Sequence, residues 1–445
     1  MTDLAPTANS RSLLAADPRT QSRNRAEARF KTYGLSAVVI ALIALALLLV
    51  SIFGNGTSAF FQTKITIPVE LTEAKLDKSG TRDLDVMKKV TTIGYSNLLG
   101  AALIDEIKAQ DIAIEGLSEK DAKAIISKEA PATLRNMVLA DPDLIGQTIN
   151  VHVLADGRVD GFFKGRVTME SAAMDSNISP AQLQLAQALN EKGVIAKEFN
   201  FDFLTAPDAS DQRPEAAGLG VAIIGSLYMM MVVLLLAPMI GVAASIYLEE
   251  FAPKNRWTDI IEVNIANLAA VPSIVFGILG LAIFINMAGL PQSAPIVGGL
   301  VLTLMTLPTI IISTRAALKA VPPSIRDAAL GIGASKMQSV FHHVLPLAAP
   351  GIMTGVIIGL AQALGETAPL LLIGMVAFVR EFPGAPLDGL FDPASALPVQ
   401  VYNWTQRADP AFVERASGAI IVLLAFLIVM NTIAIILRRR FERRW

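Results

Sequence analysis

The sequence predicts an all-α polytopic membrane protein with six transmembrane helices and an inserted α+β domain outside the membrane. The composition is the first observation: 53% of the 445 residues are hydrophobic and only 17% are charged, against about a quarter in ordinary soluble domains. The second is a set of six apolar runs, each near or above the roughly 20 helical residues that cross a bilayer. The third is the stretch 55–214, in which charged residues are as frequent as in a soluble domain.

The apolar runs define the predicted spans and divide the chain. The first run follows a basic N-terminal segment, 1–34, and is longer than the apolar core of about 7–15 residues in a signal peptide. A retained anchor is therefore favoured over a cleaved signal peptide. Pro238, Pro272 and Pro308 lie inside later runs and are able to bend those helices. The predicted spans are residues 35–54, 219–247, 263–287, 294–314, 350–378 and 416–437, the last five within a membrane domain of residues 215–440.

Lysine and arginine residues set the expected orientation. They concentrate in the segment 1–34, in the loops after the second and fourth spans, and in the C-terminal tail 438–445. Because loops with an excess of these residues stay in the cytoplasm, six spans place both termini there and export the stretch 55–214. The basic residues of these segments include Arg11, Arg19, Arg23, Arg25, Arg29, Lys31, Lys254, Arg256, Arg315, Lys319, Arg326, Lys336, Arg438, Arg439, Arg440, Arg443 and Arg444.

The exported stretch contains both helical and strand patterns. Its helices are predicted from polar starts followed by apolar residues three or four apart, and its strands from alternating apolar and polar residues. A turn signal at 155–158 predicts a hairpin in which residues 159–165 form the second strand. The other predictions, in chain order, are a strand at 64–71, a helix at 118–130, a strand at 148–154, a helix at 180–192 and a linker at 205–217.

The segment 324–346, between the fourth and fifth spans, has the most specific pattern. A helix-compatible start is followed by two glycines, which allow a sharp turn, and by a second helical run over 336–344. The Leu345-Pro346 pair is expected to end that run before the fifth span. We therefore expect two short helices with a glycine bend, although the pattern alone leaves an ordinary amphipathic loop open. The residues that define it are Asp327, Ala328, Ala329, Gly331, Gly333, Leu345 and Pro346.

This pattern resembles the EAA loop of binding-protein-dependent ABC importer permeases. That loop reads Glu-Ala-Ala, three residues, Gly, nine residues, Ile, one residue, Leu-Pro. Here Asp327 stands in place of the glutamate and His343 in place of the isoleucine. The resemblance implies that the segment docks into a cleft of an ATPase subunit. The coupling residues that it implies are Asp327, Ala328, Ala329, Gly333, Leu345 and Pro346.

Further stretches resemble the PstA-type permease of the bacterial phosphate importer. The resemblance implies a type I ABC importer permease architecture in the bacterial inner (plasma) membrane, with phosphate as the substrate and no cofactor on this chain. It also implies three partners besides membrane lipids: a homologous PstC-like permease, a cytoplasmic ATPase dimer and a periplasmic phosphate-binding protein. It implies no role for the inserted domain. The matching stretches are 247–254, 264–277, 363–370, 402–404 and 409–412.

Glu366 is an ionisable residue predicted near the middle of the fifth span. A charge at that depth costs about 2.5 kcal/mol or more on insertion scales, so it should face a wet path or a partner. We expect Gln362, Glu366 and Thr367 to line the translocation path, with an interhelical hydrogen bond as the alternative of equal weight. Related permeases often have arginine at the position of Gln362. The positive charge opposite Glu366 is therefore expected from the partner permease or from Arg315.

Composition and missing motifs exclude several other classes. The chain has no cysteine, which removes disulfides, zinc–thiolate sites and iron–sulfur clusters. No Gly-x-x-x-x-Gly-Lys-Ser/Thr motif occurs, so ATP hydrolysis is expected on another polypeptide. The net charge of −2 argues against a nucleic-acid binder, and the adjacent His342 and His343 point apart on a helix, so no metal site is expected.

Three other functions are alternatives to a phosphate permease. A permease for another oxyanion, such as molybdate or phosphonate, shares the loop pattern. A membrane sensor would use the exported domain as a ligand binder, but five closely spaced spans after the domain disfavour it. An intramembrane hydrolase would need a nucleophile and a base within the spans, and the sequence offers no such set.

Overall fold

The computed structural model describes residues 18–77 and 80–441. The chain divides into two units, and the division falls between Gly54 and Asn55. The first unit is formed by the helix α1 (Pro18–Gly56) as far as the division. This helix contains the whole predicted first span and extends back into the basic N-terminal segment. Its apolar side chains from Leu35 onward are mostly exposed, as expected of a helix that lies in lipid. The predicted cytoplasmic residues Arg11, Arg443 and Arg444 lie outside the described residues.

The second unit begins with an α+β domain, residues 57–205, built on a three-stranded antiparallel sheet in the order β2-β1-β3. The central strand buries Ile65, Ile67 and Val69 completely, and the helices cover this face to close one hydrophobic core. The elements are a 3₁₀ turn (Thr57–Phe60), β1 (Phe61–Glu70), α2 (Glu73–Leu76), α3 (Leu84–Met87), α4 (Thr92–Ala109), α5 (Glu119–Lys123), α6 (Ala130–Ala140), a 3₁₀ turn (Pro142–Leu144), β2 (Thr148–Leu154), α7 (Gly157–Phe163), α8 (Met169–Ala172), α9 (Pro180–Glu191), β3 (Ile195–Phe199) and α10 (Asp202–Thr205).

Both predicted strands are confirmed, but the predicted hairpin is wrong. The strand β2 has the predicted bounds, and it pairs with β1 so that Lys64 lies opposite Leu154. Residues 159–165 do not return as a strand, because the Asp156 side chain accepts a hydrogen bond from the Arg158 amide (2.9 Å) and caps the helix α7. The second neighbour of β1 is instead β3, at the end of the domain.

The remaining predictions for this region are correct in part. The helix α9 follows the predicted helix 180–192 to within one residue. The predicted helix 118–130 ends after α5, where the chain turns away to form an isolated bridge with the residue after β2. The predicted linker 205–217 contains a 3₁₀ turn and buries the carboxylates of Asp208 and Glu215. It is therefore a packed segment with polar groups in its interior.

The rest of the second unit is helical. Five described helices are long and apolar enough to cross a membrane, and a sixth span results if one sharply bent helix pair counts as one. The elements are a 3₁₀ turn (Pro214–Ala216), α11 (Gly220–Ile246) with a π-helical end (Tyr247–Phe251), α12 (Arg256–Ala269), α13 (Ser273–Gly280) with a π-helical end (Leu281–Met287), α14 (Pro295–Lys319), α15 (Pro323–Gly331), α16 (Lys336–Ser339) with a π-helical end (Val340–Val344), α17 (Leu345–Gly365), α18 (Ala368–Leu372), α19 (Leu397–Gln406) and α20 (Pro410–Phe441).

The third predicted span, 263–287, is not a continuous helix. It is divided between α12 and α13, which are bent by 103° relative to each other. Pro272 lies at the break with extended backbone angles (φ −56°, ψ 136°). Because proline lacks an N–H and its ring collides with the preceding turn, a helix is easily broken at this position. The chain therefore bends sharply between two separate helices at Pro272, and does not form one kinked helix.

The fifth predicted span, 350–378, is wrong at both ends. Its helix begins earlier, since α16, the π-helical segment and α17 run together as one helix over Lys336–Gly365. Pro346 thus does not end the coupling helix: it is the second residue of α17, directly after the π-helical turn. At the other end the helix stops before Glu366, whose backbone is extended (φ −80°, ψ 131°). A continuous helix would bring the ring of Pro369 against the carbonyl of Gly365.

Close packing between α14 and α17 depends on glycines at four-residue spacing. A Cβ atom at Gly355 would lie 1.9 Å from the Ser313 hydroxyl, and one at Gly351 would lie 2.7 Å from the side chain of Ala317. Gly359 of α17 likewise faces Ile310 of α14. Small residues at this spacing let two membrane helices approach closely.

Candidate coupling segment and polar sites

The predicted coupling segment consists of the short helix α15 and the start of a longer helix, joined by a bend at Gly333. The first helix, α15, ends at Gly331. Gly333 has φ +93°, a conformation that residues with a side chain rarely adopt. The second helix begins at a capping box in which the Ser335 amide donates to Gln338 Oε1 (2.9 Å) and the Gln338 amide donates to Ser335 Oγ (3.2 Å). The predicted glycine bend between two helices is therefore confirmed, but the second helix is not short, because it continues through Pro346 as far as Gly365.

Arg326 anchors the segment to the membrane helices. Its Nη2 atom donates to Glu250 Oε1 (2.6 Å) and to the Leu318 carbonyl (2.9 Å), and its Nη1 atom donates to the Val321 carbonyl (2.8 Å). Glu250 is 8% exposed and lies in the π-helical end of α11. A small apolar core continues the contact between the segment and the ends of α11, α14 and α17. Its buried members are Ile246, Leu318, Val321, Val340, Val344, Ala348 and Ile352.

The segment also carries exposed apolar side chains, which we call the docking face. Ile332, beside the bend, is 84% exposed. Among the predicted coupling residues, Asp327 and Ala328 are exposed, whereas Ala329 is buried against the anchored side. Gly333 is exposed, and Leu345 and Pro346 are half-buried at the start of α17. The docking face comprises Leu330, Ile332, Met337 and Phe341.

Arg315 forms ion pairs with two carboxylates. Its Nη2 atom lies 2.6 Å from Glu262 Oε1 and its Nε atom lies 3.1 Å from Glu249 Oε2. Lys319 also approaches Glu249, at 3.6 Å. These contacts join α12, α14 and the π-helical end of α11. The positive charge of Arg315 is therefore matched within this network, and the structure does not bring it into contact with Glu366.

Gln362, Glu366 and Thr367 lie together where α17 ends. Gln362 is exposed and its Oε1 atom accepts a weak hydrogen bond from the Thr309 hydroxyl of α14 (3.4 Å). Glu366 and Thr367 are half-buried in the break before α18. Within the ranges 18–77 and 80–441, the Glu366 carboxylate has no hydrogen bond or ion pair. The predicted path residues thus share one region, but at a helix end and not in the middle of a helix.

A buried group of charges joins the α+β domain to α20. It is absent from the sites predicted from the sequence. Lys164 Nζ lies 2.8 Å from both Asp160 Oδ2 and Glu414 Oε1, and its side chain is 1% exposed. Arg166 Nε lies 2.8 Å from Glu414 Oε2. Burial lowers the pKa of Lys164, while the carboxylates of Asp160 and Glu414 oppose this effect. This junction cluster comprises Asp160, Lys164, Arg166, Glu414 and Arg415.

A polar cleft of about 390 Å³ lies beside the junction cluster. Glu215 lines it and accepts a hydrogen bond from the Ser127 hydroxyl (2.5 Å). Burial raises the pKa of Glu215 to about 7, against a smaller opposing effect of that hydrogen bond. Burial also raises the pKa of Asp156, which lines the same cleft. Arg158 pairs there with the carboxylate of Asp409 (3.6 Å), which directly precedes α20.

One signal for this junction was present in the sequence. Glu414 and Arg415 directly precede the last apolar run, where charged side chains need either water or partners. Their partners are 200 or more residues away along the chain, since Arg415 Nη2 donates to Gln62 Oε1 (2.6 Å) and to the Glu215 carbonyl (2.8 Å). Local patterns do not predict contacts at that separation, which depend on how the domain docks.

Two family models match the chain. The model described as a binding-protein-dependent transport system inner membrane component matches residues 239–445. A second model, described as a domain of unknown function (DUF3333), matches residues 17–173. The first match covers the coupling segment and most of the predicted spans, and the second covers α1 and most of the α+β domain.

Curated relatives and solved structures each match about half of the chain. The chain is 32% identical to the probable ABC transporter permease protein YqgI of Bacillus subtilis over 53% of this chain and 82% of that protein. It is 30% identical to the phosphate transport system permease protein PstA 1 of Mycobacterium tuberculosis, over 52% and 73%, respectively. An inward-facing structure of the MetNI methionine ABC transporter aligns with a TM-score of 0.39 and 16% identity, over 50% of this chain and 95% of that one. The chain therefore belongs to the binding-protein-dependent transport system inner membrane components, as a PstA-type ABC transporter permease.

Proposed function

We propose that this chain is a permease subunit of an ATP-driven importer of inorganic phosphate. The observation that carries the proposal is the similarity of about half of the chain to permeases named for phosphate transport, at 30% identity over 230 residues in Mycobacterium tuberculosis PstA 1. A PstC-like permease would complete the pathway, and a periplasmic phosphate-binding protein would deliver the substrate. Both termini lie in the cytoplasm in this proposal, and the α+β domain lies on the outer side.

Coupling to ATP would pass through the docking face. A separate ATPase dimer receives the apolar side chains beside Gly333, and its closure on binding ATP moves α15 and α16. Because Arg326 holds Glu250 and two carbonyls of the α14 end region, this movement is passed to α11 and α14 as a rigid-body displacement. The spans then alternate access to the pathway.

The pathway would be lined by Gln362, Glu366 and Thr367. Phosphate is an anion, so a free carboxylate on Glu366 needs a positive charge nearby. Arg315 is already paired with Glu249 and Glu262, and we therefore favour the partner permease over Arg315 as the source of that charge. A guanidinium group from the partner would suit phosphate because its planar fork of donors matches the phosphate oxygens.

The substrate is tested with the complete transporter in lipid vesicles. We expect the phosphate-loaded binding protein to stimulate ATP hydrolysis, and binding protein offered sulfate or molybdate to leave the rate near its basal value. Stimulation by molybdate in place of phosphate would assign the chain to another oxyanion. No stimulation by any oxyanion, in a complex that retains its ATPase, would contradict the proposal.

The docking face is tested separately by copurification. We expect Ile332→Asp to lose the ATPase subunit, because a charge would replace an exposed apolar contact. Leu84→Asp is the matched control, since Leu84 is also exposed but lies on the α+β domain. Retention of the ATPase by both variants would contradict the role of this face.

A further inference from the structure

Three phenylalanines at one end of the domain sheet are exposed together. The exposed fractions are 42% for Phe61, 43% for Phe199 and 69% for Phe201. The rings touch in sequence, with centroids 5.9 Å apart between Phe61 and Phe199 and 4.7 Å apart between Phe199 and Phe201. These three residues form an aromatic patch that the described residues of the second unit leave exposed. A contiguous apolar surface of this kind marks an interaction site more often than single exposed side chains do.

The patch is held in place by backbone hydrogen bonds. Phe61 and Phe199 are paired residues of β1 and β3. Between Phe199 and Phe201, the buried Asn200 donates from its backbone amide to the Phe60 carbonyl (2.8 Å) and accepts at Oδ1 from the Phe203 amide (3.2 Å). The exposed rings therefore project from fixed strand ends, and a partner surface would not have to order them.

The patch lies level with the outer end of the last apolar helix. A Cβ atom at Gly418 would lie 2.7 Å from the Ala59 side chain and 2.9 Å from the Phe203 ring, and one at Gly56 would lie 2.7 Å from the Ser417 backbone. The apolar run of α20 begins at Ala416, directly after the charged Glu414 and Arg415. The residues on either side of the patch thus sit where α20 passes from charged to apolar side chains, which is where a membrane–water interface lies.

We propose that Phe61, Phe199 and Phe201 insert into the headgroup–acyl boundary of the bilayer that the permease spans. Phenylalanine rings beside a basic residue are typical of segments that bind at this depth. Lys197 supplies the basic group, since its ammonium lies 5.5 Å from the centroid of the Phe61 ring and its side chain is exposed. The domain would then have two fixed contacts, the junction cluster on α20 and the aromatic patch on lipid.

Single-cysteine spin labelling tests this inference on the full chain. The chain has no native cysteine, so Phe201→Cys and Phe61→Cys each carry one nitroxide. Glu70→Cys is the matched control, because Glu70 is exposed at the far end of the same strand β1, roughly 30 Å away at about 3.3 Å per residue. The labelled transporter is placed in nanodiscs of phosphatidylethanolamine and phosphatidylglycerol, and nitroxide collisions with oxygen and with a water-soluble nickel chelate are compared.

Oxygen concentrates in the acyl region, while the nickel chelate stays in water. We expect the oxygen-to-nickel collision ratio to be severalfold higher at position 201 than at position 70, with position 61 agreeing with 201. A nickel-accessible label at both 61 and 201 would overturn the inference by placing the patch in water. Labels shielded from both reagents would also overturn it, because a protein partner would then cover the patch. The melting temperature of each labelled chain shows whether its fold is retained, and the two patch positions provide independent readings.

Discussion

The Arg326 guanidinium donates to the Glu250 carboxylate through two nitrogen atoms, Nε at 3.2 Å and Nη2 at 2.6 Å. The pair joins the coupling segment to the π-helical end of α11. π-helical turns are uncommon and occur frequently at functional sites. Both side chains are largely buried, so the pair is a defined joint and not a loose surface contact. It places the most specific sequence motif of this chain in mechanical contact with a membrane helix.

Removal of this joint should separate ATPase binding from transport. We expect Arg326→Ala to retain the ATPase subunit, because the docking face is unchanged, but to lose most of the phosphate-dependent stimulation of ATP hydrolysis. The buried Glu250 would be left unpaired, at a cost in stability of about 3 kcal/mol. Arg326→Lys keeps the charge without the forked donors and should lie in between. Arg256→Ala, at an exposed arginine outside the joint, is the control, and full stimulation in Arg326→Ala would contradict the role of the pair.

The two glycines of the coupling segment should respond differently to alanine. Gly333 has a positive φ of +93°, whereas Gly331 ends α15 without one, and a Cβ atom at either position would meet no neighbour within 4 Å. A left-handed backbone costs an L residue roughly 1–2 kcal/mol, so Gly333→Ala should weaken ATPase retention by about tenfold, since 1.4 kcal/mol is a factor of ten. Gly331→Ala should be neutral. Titration of the ATPase against each immobilised permease measures both, and equal binding would show that the bend is not needed.

The ion pairs of Arg315 lead to a prediction about the transport path. We expect Glu366→Gln to change phosphate uptake, because it removes the unpaired carboxylate at the end of α17. Arg315→Ala should instead lower the amount of folded permease, since it leaves Glu249 and Glu262 without their shared partner. Uptake per folded permease in membrane vesicles separates the two effects. Wild-type uptake by Glu366→Gln, at normal expression, would exclude Glu366 from the path.

Much of the helical architecture could be predicted from the sequence, because long apolar runs mark the segments that lie in lipid. The errors in the predicted membrane spans fall at prolines. Pro272 breaks the third run by 103°, whereas Pro346 is accommodated inside a continuous helix by the π-helical turn before it. Sequence predicts that a helix is weakened at proline, but neighbouring helices decide whether it bends, breaks or continues. The predicted mid-helix position of Glu366 is wrong for the same reason, since Pro369 lies in the turn that follows it.

The coupling segment was predicted more completely than the domain junction. A bend at Gly333 follows from local backbone preference, and the capping box at Ser335 is also local. The junction cluster depends on Lys164 meeting Glu414, 250 residues further along the chain, and no spacing rule connects them. The same holds for Arg326, whose role as an anchor depends on Glu250 in a different helix.

Glu215 should make the stability of the domain junction dependent on pH. Its carboxyl group has a pKa of about 7 in the folded protein, compared with an ordinary value of 4.5, because burial disfavours the charged form. The native state therefore binds more protons than the unfolded state between these two values. It follows from proton linkage that the free energy of unfolding falls as the pH rises through this window, by roughly 3 kcal/mol in total. The stabilisation is complete below about pH 4.5 and is lost above about pH 7.

A neutral isostere should remove this dependence. In Glu215→Gln the amide oxygen still accepts the hydrogen bond from Ser127, so we expect the variant to match the wild-type chain at low pH and to be more stable at high pH. Melting temperatures in detergent at about pH 5 and about pH 8 measure the difference. Glu170→Gln, at an exposed glutamate of the same domain, should keep the wild-type dependence. If Glu215→Gln kept it as well, the titrating group would have to be another one, and Asp156 in the same cleft would be the next to change, because burial raises its pKa too.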